Sequence, residues 1–457
     1  MEIYNKSCFW FIVAVVVFLI NQLPFITDVR PVMYDEAWYA NTAYHFSQGE
    51  GFMNSVVGSG GNANFLLPML TGTMFWIFGY SLFIIRLTAV LCGVITLLFI
   101  HLCLRELKSS VQAEIAVLGF FVSIALYNTI FRFGRPECAG LMCMAGGIWF
   151  LLRYIRENSW SNMIGLSLFT YLSAVGHPYT LLFFAIAGLV LFVQTIQKNA
   201  WINLAHLAML LIAAVFSLLS MKAVSSAYDI GASPEMLDRF SVGNIVHAVP
   251  KYIKILCMSK HTLYMALLIP VAIIAIRIKD SLTHSIGIII VSFMILFPFL
   301  FSTDIEMIGL GVSYVVLVST ILIAPCLDRI KESRLKMCYA IFALYCVLNI
   351  GISYYFNYRV KYERCNTELE QDLQTIIPNE AVVFTPLRQY PMIIKKRCYS
   401  DHYRAGLPEK FDYVVLNSQD MDRYENSLNV QTSLDLYSLI YERDTKQYGT
   451  IYVYKHE

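Results

Sequence analysis

The amino-acid sequence predicts an all-α polytopic membrane protein that ends in a small C-terminal α/β domain. Of its 457 residues, 57% are hydrophobic and only 14% are charged, whereas about a quarter of the residues of a soluble domain are charged. Apolar runs of membrane-spanning length recur along the chain, and the composition becomes that of a soluble protein after Tyr358. The net charge of +2 and the lack of any Lys/Arg-rich block argue against nucleic acid as a partner.

The apolar runs predict about eleven transmembrane helices, because crossing the hydrocarbon core of a bilayer takes roughly 20 residues. The runs lie at 8–25, 82–104, 112–131, 138–155, 162–176, 179–197, 201–220, 262–278, 283–302, 307–326 and 337–356. A further apolar run at 65–80 is short and contains Pro68, Gly72 and Gly79. It predicts a juxtamembrane or re-entrant helix instead of a span.

Basic residues in alternate connections predict the orientation, since cytoplasmic loops are enriched in Lys and Arg. The predicted inner loops contain Arg105, Lys108, Arg153, Arg156, Lys198, Arg277, Lys279, Arg329, Lys331, Arg334 and Lys336. The N-terminus is therefore expected inside and the C-terminus outside, with outer loops at 27–82 and 222–260. The C-terminal domain is therefore expected on the extracytoplasmic side.

Two domains follow from this reading: a transmembrane domain at 1–358 and a soluble extracytoplasmic α/β domain at 359–457. Within the second, the pattern predicts a helix at 363–375 and strands at 381–385, 413–417 and 451–454. Cys365 and Cys398 both fall in this tail, where an oxidising compartment would allow a disulfide if the fold brings them close. The sequence leaves that bond undecided.

Two adjacent carboxylates, Asp35 and Glu36, open the first outer loop and are followed by aromatic residues that include Tyr39. Aromatic side chains of this kind suit the headgroup level of a membrane. A carboxylate partly withdrawn from water has its pKa raised towards the range of a general base. The alternative is that both acids only cap a surface helix, where Asp and Glu are favoured in the first turn.

A very short turn between two apolar helices contains Arg132, Arg135 and Glu137. Outer loops usually avoid Arg, so two guanidinium groups here indicate an anionic ligand such as phosphate. The alternative is an Arg135–Glu137 ion pair, with Pro136 beginning the next helix.

His177 and Tyr179 interrupt another apolar stretch and are predicted on the same outer side. They are candidate ligand contacts, although a His before Pro is more often a hydrogen-bonded turn residue. The loop at 222–260 has polar residues and a basic end, which fits either a mobile cover over a site or a solvated connector.

The order of these motifs resembles the GT-C superfamily of integral membrane glycosyltransferases, in the branch that contains protein O-mannosyltransferases and the lipid A aminoarabinose transferase. The resemblance rests on the acidic pair with its aromatics, the stretch at 64–79, the Arg86-Leu87 pair, the Arg135-Pro136-Glu137 element and His177-Pro178. It covers roughly residues 8–200 by motif. The Lys-Pro-Pro typical of the family's first loop is replaced by Phe65-Leu66-Leu67-Pro68, so the basic contact that this Lys would supply is missing.

The resemblance implies transfer of a sugar from a polyprenyl-phosphate donor to an acceptor hydroxyl, with inversion. It implies Asp35 as the base, with Glu36 and Glu137 orienting sugar or acceptor. Arg135 and Arg132, or a divalent metal, would stabilise the leaving phosphate. The further candidates for substrate contact, besides Arg132 and Arg135, are His177, Tyr179 and Tyr39. The resemblance also implies a bacterial inner membrane as the location, with the active site on the extracytoplasmic side.

The expected partners are the lipid-linked sugar donor, membrane lipids and an acceptor that is a cell-envelope glycan, a lipid or a protein. The sequence identifies neither the donor sugar nor the acceptor. One alternative class is a lipid or glycan transporter or flippase, which would place ionisable groups near the membrane midplane and often repeat its halves. A second alternative is a sensor or assembly protein that works through its C-terminal domain.

Overall fold

The computed structural model describes most of the chain in three parts. These are residues 2–227 with gaps at 29, 57–63 and 199–201, single helical positions between 273 and 291, and residues 305–457 with gaps at 330–331, 362–364, 395–396, 401–407, 409 and 420–433. The loop at 222–260 beyond Ala227 and the expected spans at 262–278 and 283–302 fall almost wholly outside the described residues. The expected number of spans therefore stays a prediction.

The described part of the chain is mostly helical. Its membrane-region helices are α1 Glu2–Gln22, α2 Tyr34–Ser47, α3 Leu66–Phe78, α4 Leu82–Glu106, α5 Val111–Ser123, α6 Ala125–Ile130, α7 Pro136–Arg156, α8 Trp160–Gly176, α9 Leu181–Lys198, α10 Ile202–Ala227, α11 Ile305–Leu327 and α12 Glu332–Lys361. Five stretches among them are long and apolar enough to cross a bilayer: Leu82–Glu106, Pro136–Arg156, Pro178–Ile196, Asn203–Ala227 and Tyr339–Arg359. The chain is an integral membrane protein.

The predicted span at 112–131 is not one continuous helix. The helix stops at Ile124, whose backbone is extended with φ −71° and ψ 126°, and the short helix α6 follows. Ile124 is fully buried, and its N–H and C=O still bond to Phe120 and Asn128 at 3.0 and 3.1 Å. Because a β-branched residue readily adopts this extended conformation, an apolar sequence conceals the break.

Local chemistry sets several of the helix starts. The hydroxyls of Ser81, Ser110 and Ser159 accept hydrogen bonds from the first turns of α4, α5 and α8, which satisfies donors that have no partner within a helix. Pro136 occupies the first turn of α7, where its missing N–H is no loss. Ser81 and Pro136 set the starts of α4 and α7, at the end of the bundle where the site forms.

The helices of the bundle approach closely where one of them carries glycine. A Cβ added at Gly146 of α7 would lie 2.4 Å from the ring of Phe169, and one at Gly165 of α8 would lie 2.3 Å from the ring of Phe150. Small residues at such crossings allow close packing in membranes. We call the end of the bundle at which α1 and α8 end and α4 and α7 begin the upper end.

The C-terminal segment forms a mixed five-stranded sheet in the order β2-β1-β3-β5-β4. Its elements are helix α13 Asn366–Ile376 and strands β1 Val383–Phe384, β2 Cys398–Tyr399, β3 Tyr413–Asn417, β4 Tyr437–Thr445 and β5 Gly449–His456, with a short helix α14 at Tyr390–Ile393 between β1 and β2. Strand β1 is parallel to β2 and β3, whereas β5 is antiparallel to β3 and β4. Cys365 and Cys398 are not joined by a disulfide.

Helix α2, at the upper end, and the C-terminal segment share one hydrophobic core. Ala37 and Ala40 of α2 pack in the same buried cluster as Leu369, Leu373 and Tyr390. The polar contacts between the two segments include Asn41 with Tyr390 at 2.8 Å, Ser400 with Val56 at 2.8 Å, Thr367 with Asp28 at 2.7 Å and Glu370 with the backbone N–H of Leu82 at 2.9 Å. The chain beyond 358 therefore packs directly against the first loop.

A completely buried ion pair lies where α2 meets α4. Arg86 donates to both carboxylate oxygens of Glu36, from Nε at 2.9 Å and from a terminal nitrogen at 3.0 Å. The same guanidinium donates to the carbonyls of Ile26 and Thr27 at 2.8 and 2.9 Å. Since a paired guanidinium offers five donors in a fixed fork, this one side chain fixes both the start of α2 and the segment before it.

We expect Arg86→Met to lower the free energy of unfolding by about 3–5 kcal/mol, because it leaves a buried carboxylate without its partner. Thermal unfolding of the purified protein in detergent measures the loss. The double variant Glu36→Leu/Arg86→Met removes both charges and should recover part of it, since only neutral backbone groups, the loop carbonyls and the N–H groups of Met33 and Gly134, then lack partners. A double variant less stable than the single one would contradict this account.

Candidate active site

Four charged or polar side chains from three elements meet at the upper end of the bundle. Asp35 stands in the first turn of α2, and Arg135 immediately precedes α7. Glu137 lies in the first turn of α7, and His177 follows the last residue of α8. The close pairs are Asp35–Arg135 at 2.8 Å, Arg135–Glu137 at 3.1 Å and Glu137–His177 at 3.8 Å.

Arg135 bridges the two carboxylates. One terminal nitrogen contacts both Asp35 and Glu137, and its Nε donates to the second oxygen of Glu137 at 3.3 Å. The side chain of Glu137 is only 3% exposed, whereas that of Asp35 is 51% exposed. The cluster thus has a buried carboxylate at its base, a guanidinium above it and a carboxylate that solvent or substrate reaches.

The pKa values of both Asp35 and Arg135 are raised, for different reasons. The surrounding protein removes water from Asp35 and raises the pKa of this carboxyl; Arg135 opposes the rise and Glu137 adds to it. Burial alone would lower the pKa of Arg135, but Glu137 and Asp35 raise it above its ordinary value. Arg135 therefore stays charged, while Asp35 is a stronger base than a free aspartate.

His177 is a neutral imidazole in this cluster. Burial, with a contribution from Arg135, lowers its pKa to about 3, so its approach to Glu137 is no ion pair at physiological pH. Its Nδ1 is buried and has no hydrogen-bond partner. The ring of Tyr179 meets it edge-on, with centroids 4.4 Å apart. His177 thus offers one ring nitrogen to a ligand.

Tyr39 completes one side of the cluster. Its hydroxyl accepts a hydrogen bond from the side-chain amide of Asn64 at 3.2 Å. Burial raises the pKa of Tyr39, and the charges of Asp35 and Glu137 raise it further although Asn64 opposes them. Tyr39 therefore keeps its proton and remains a donor next to Asp35.

No pattern in the sequence indicates Asn64 or Tyr314 as site residues. The Oδ1 of Asn64 and the hydroxyl of Tyr314 are buried without a hydrogen-bond partner. Tyr314 belongs to α11, and its ring lies 5.7 Å from that of His177. A single Tyr within an apolar run carries no signal of its own; only the packing of α11 against α7 brings it here.

Glu36 and Arg132 lie in other surroundings than the cluster. Glu36 pairs with Arg86 and also accepts a hydrogen bond from the backbone N–H of Gly134 at 3.3 Å. Arg132 is buried and donates to the Gln22 side chain at 3.0 Å and to a backbone carbonyl of α1. Glu36 thereby positions the turn that holds Arg135. The chemical roles expected of Glu36 and Arg132 stay predictions.

Among the described residues, no group of three or more His, Cys, Asp or Glu side chains could hold a metal ion. In the cluster itself, the space between Asp35 and Glu137 is occupied by the guanidinium of Arg135. These residues do not fit a divalent-metal site built from protein ligands alone, and the fixed cation of the cluster is an arginine.

The chain is thus an integral membrane protein whose helices bring an acid–arginine–acid cluster together at one end of the bundle. Residues 64–220 match the family model described as dolichyl-phosphate-mannose-protein mannosyltransferase. This match and the structural similarities below confirm the resemblance to the GT-C superfamily that the order of motifs predicted.

Two solved structures share the fold over nearly the whole chain. The chain is similar to ArnT from Cupriavidus metallidurans bound to undecaprenyl phosphate, with a TM-score of 0.66 and 13% identity over 98% of this chain and 97% of that one. It is equally similar to ArnT from the same organism in the apo state, with a TM-score of 0.65 and 12% identity over 98% of both chains. No curated protein sequence matches the chain.

We expect Gly140→Ala to disturb the cluster from behind. The added Cβ would lie 2.9 Å from both the Tyr314 hydroxyl and the Cβ of His177, so the variant should lose about 1–3 kcal/mol of stability in thermal unfolding. Gly119→Ala is the matched control, because its nearest neighbour, Cys346 Sγ, is 3.7 Å away. The control should be neutral or gain up to about 1 kcal/mol; equal losses in both variants would refute the close contact.

Proposed function

We propose that the protein is a membrane glycosyltransferase that moves a sugar from a polyprenyl-phosphate donor to an acceptor hydroxyl, with Asp35 as the general base. The observation that carries this proposal is the bridged cluster, in which a half-exposed carboxylate of raised pKa lies 2.8 Å from a guanidinium backed by a buried carboxylate. A base and a fixed cation side by side are what a sugar transfer from phosphate requires.

In the proposed reaction, the acceptor oxygen attacks the anomeric carbon of the donor and forms the new glycosidic bond. The bond from that carbon to the phosphate oxygen breaks, and the phosphate leaves with the electron pair. Asp35 takes the proton of the acceptor hydroxyl. A single displacement of this kind inverts the configuration at the anomeric carbon.

Arg135 would stabilise the charge that develops on the departing phosphate. Glu137 holds the guanidinium of Arg135 through two of its nitrogens. A phosphate can therefore replace Asp35 as the other partner of this guanidinium without moving the Arg135 side chain. Such a replacement would also free Asp35 for the acceptor hydroxyl. Neutral His177 and Tyr39 supply hydrogen-bonding groups for the sugar or the acceptor, and burial makes these bonds strong.

Two similarities support a lipid-linked donor. The family model that matches residues 64–220 is described by a dolichyl-phosphate-mannose donor, and one of the similar ArnT structures is bound to undecaprenyl phosphate. We propose a hexosyl or pentosyl transfer at the outer face of a bacterial inner membrane. The acceptor in this proposal is a hydroxyl of a cell-envelope glycan, a lipid or a protein.

The alternative of a lipid or glycan transporter gains no support. Its expected sign is a set of ionisable groups near the membrane midplane, whereas the bridged cluster stands at helix ends. No other observation on the described residues favours it over transfer.

We expect Asp35→Asn to reduce sugar transfer by about 10²- to 10⁴-fold, because it removes the proton acceptor and keeps the shape of the side chain. Transfer by purified protein in lipid, from a panel of polyprenyl-phosphate sugars, measures the loss. Asp372→Asn is the matched control, since that carboxylate bonds to Tyr441 and Arg443 of β4. Full transfer by Asp35→Asn would remove Asp35 from the mechanism.

The pH dependence of transfer should follow the ionisation of Asp35. A base works only when deprotonated, so the rate should rise with pH through a midpoint above the ordinary aspartate pKa, because the pKa of Asp35 is raised. Glu137→Gln removes a negative neighbour that contributes to that rise and should move the midpoint to lower pH.

His177→Gln should leave the midpoint where it is, because the pKa of His177, about 3, keeps this residue neutral throughout that range. Initial rates as a function of pH test both variants. A midpoint that moves with His177→Gln and not with Glu137→Gln would assign the titration to a different group.

A further inference from the structure

A long groove runs between α1 and α12 on the membrane side of the bundle. Its volume is about 690 Å³, and it is lined by Val17, Ile20, Asn21, Ile350, Gly351, Tyr354, Tyr355 and Tyr358. Ile20 and Tyr355 are 57% and 58% exposed, as expected for side chains that face lipid. Apart from Asn21 and the tyrosine hydroxyls, these side chains are apolar, which suits a hydrocarbon chain.

Asn21 is the polar exception in this groove. Its side chain is 2% exposed, and neither the nitrogen nor the oxygen of its amide has a hydrogen-bond partner. An amide buried without hydrogen-bond partners is destabilising. Because it lines the groove at the last turn of α1, its free donor and acceptor point to a ligand with a polar head at the upper end.

The charge beside Asn21 is positive. Arg132 donates to the backbone carbonyl of Asn21 and to the side chain of Gln22, and it forms no ion pair among the described residues. Burial, together with repulsion from the charges of Arg30 and Arg86, lowers the pKa of Arg132 to about 9. Glu36 neutralises Arg86, so two cations remain to attract an anion.

We propose that this groove binds one anionic glycerophospholipid, with an acyl chain along α1 and α12 and the phosphate at Asn21, in the field of Arg30 and Arg132. The three tyrosines at the same end of α12 suit the headgroup level. This inference is independent of the sugar transfer proposed above, because it requires only that the protein lie in a bilayer.

The donor lipid is a less fitting occupant than a glycerophospholipid. Arg135 contacts Asp35 and Glu137, whereas Arg132 of the same turn contacts α1. Arg132 and Arg135 therefore make their contacts on opposite sides of the turn. A donor phosphate must lie beside Asp35, and a phosphate at Asn21 lies behind the turn.

Two variants change the groove in different ways. Gly351→Phe fills it, and no atom lies within 4 Å of a Cβ built there, so the variant should fold. Asn21→Leu keeps the size of the side chain and removes its polar atoms. Ile352→Phe adds an aromatic ring to the neighbouring, 52% exposed position outside the groove lining and is the matched control.

The test is native mass spectrometry of the full-length protein extracted from vesicles of phosphatidylglycerol and phosphatidylcholine in equal amounts. Wild type and Ile352→Phe should retain one phosphatidylglycerol, about tenfold in preference to phosphatidylcholine, which corresponds to about 1.4 kcal/mol. Gly351→Phe should retain neither lipid at this site. Asn21→Leu should lose the preference while thermal unfolding shows it to be no less stable than wild type.

Equal retention of the two lipids by wild type would overturn the proposal, as would retention by Gly351→Phe that matches wild type. A second set of vesicles contains undecaprenyl phosphate in addition. If this lipid displaces phosphatidylglycerol from wild type and is itself lost in Gly351→Phe, the groove belongs to the carrier lipid and the glycerophospholipid assignment is wrong. Sugar transfer is not part of this readout, so its outcome is judged separately.

Discussion

The ion pair between Arg86 and Glu36 is the constraint on which the upper end of the protein depends. Two charges with no exposure to water are tolerated only when they pair and their remaining hydrogen bonds are made. Arg86 also holds the carbonyls that precede α2, and Glu36 also holds the N–H of Gly134. A residue in the second turn of α4 thereby fixes both elements that carry the cluster, with Asp35 on one side and Arg135 on the other.

Neighbouring residues with the same charge serve different purposes here. Successive positions in a helix point in directions about 100° apart, so Asp35 faces the accessible cluster when Glu36 faces the buried arginine. The turn before α7 repeats this division, since Arg132 contacts α1 and Arg135 contacts the carboxylates. In each motif one charge builds the structure and the other remains accessible to a substrate.

The C-terminal segment takes part in the same construction. The hydroxyl of Tyr448 accepts from the backbone of Val32 and donates to Asn366, and the Asn366 amide donates to the carbonyls of Thr27 and Arg30. The loop that Arg86 holds from the membrane side is thus held from the other side by residues more than three hundred positions later. A change in the C-terminal segment is expected to reach the cluster through this loop.

The sequence by itself determined the membrane class, most of the described helices and several strands, because burial in lipid and β-pairing leave long, local patterns of apolar residues. It also determined which residue types were candidates, and Asp35, Arg135, Glu137 and His177 do lie together. Only the tertiary structure decided that Glu36 forms an ion pair with Arg86 and that Tyr314 lies next to the cluster. Such contacts join residues far apart in the chain, and their partners leave no local pattern to read.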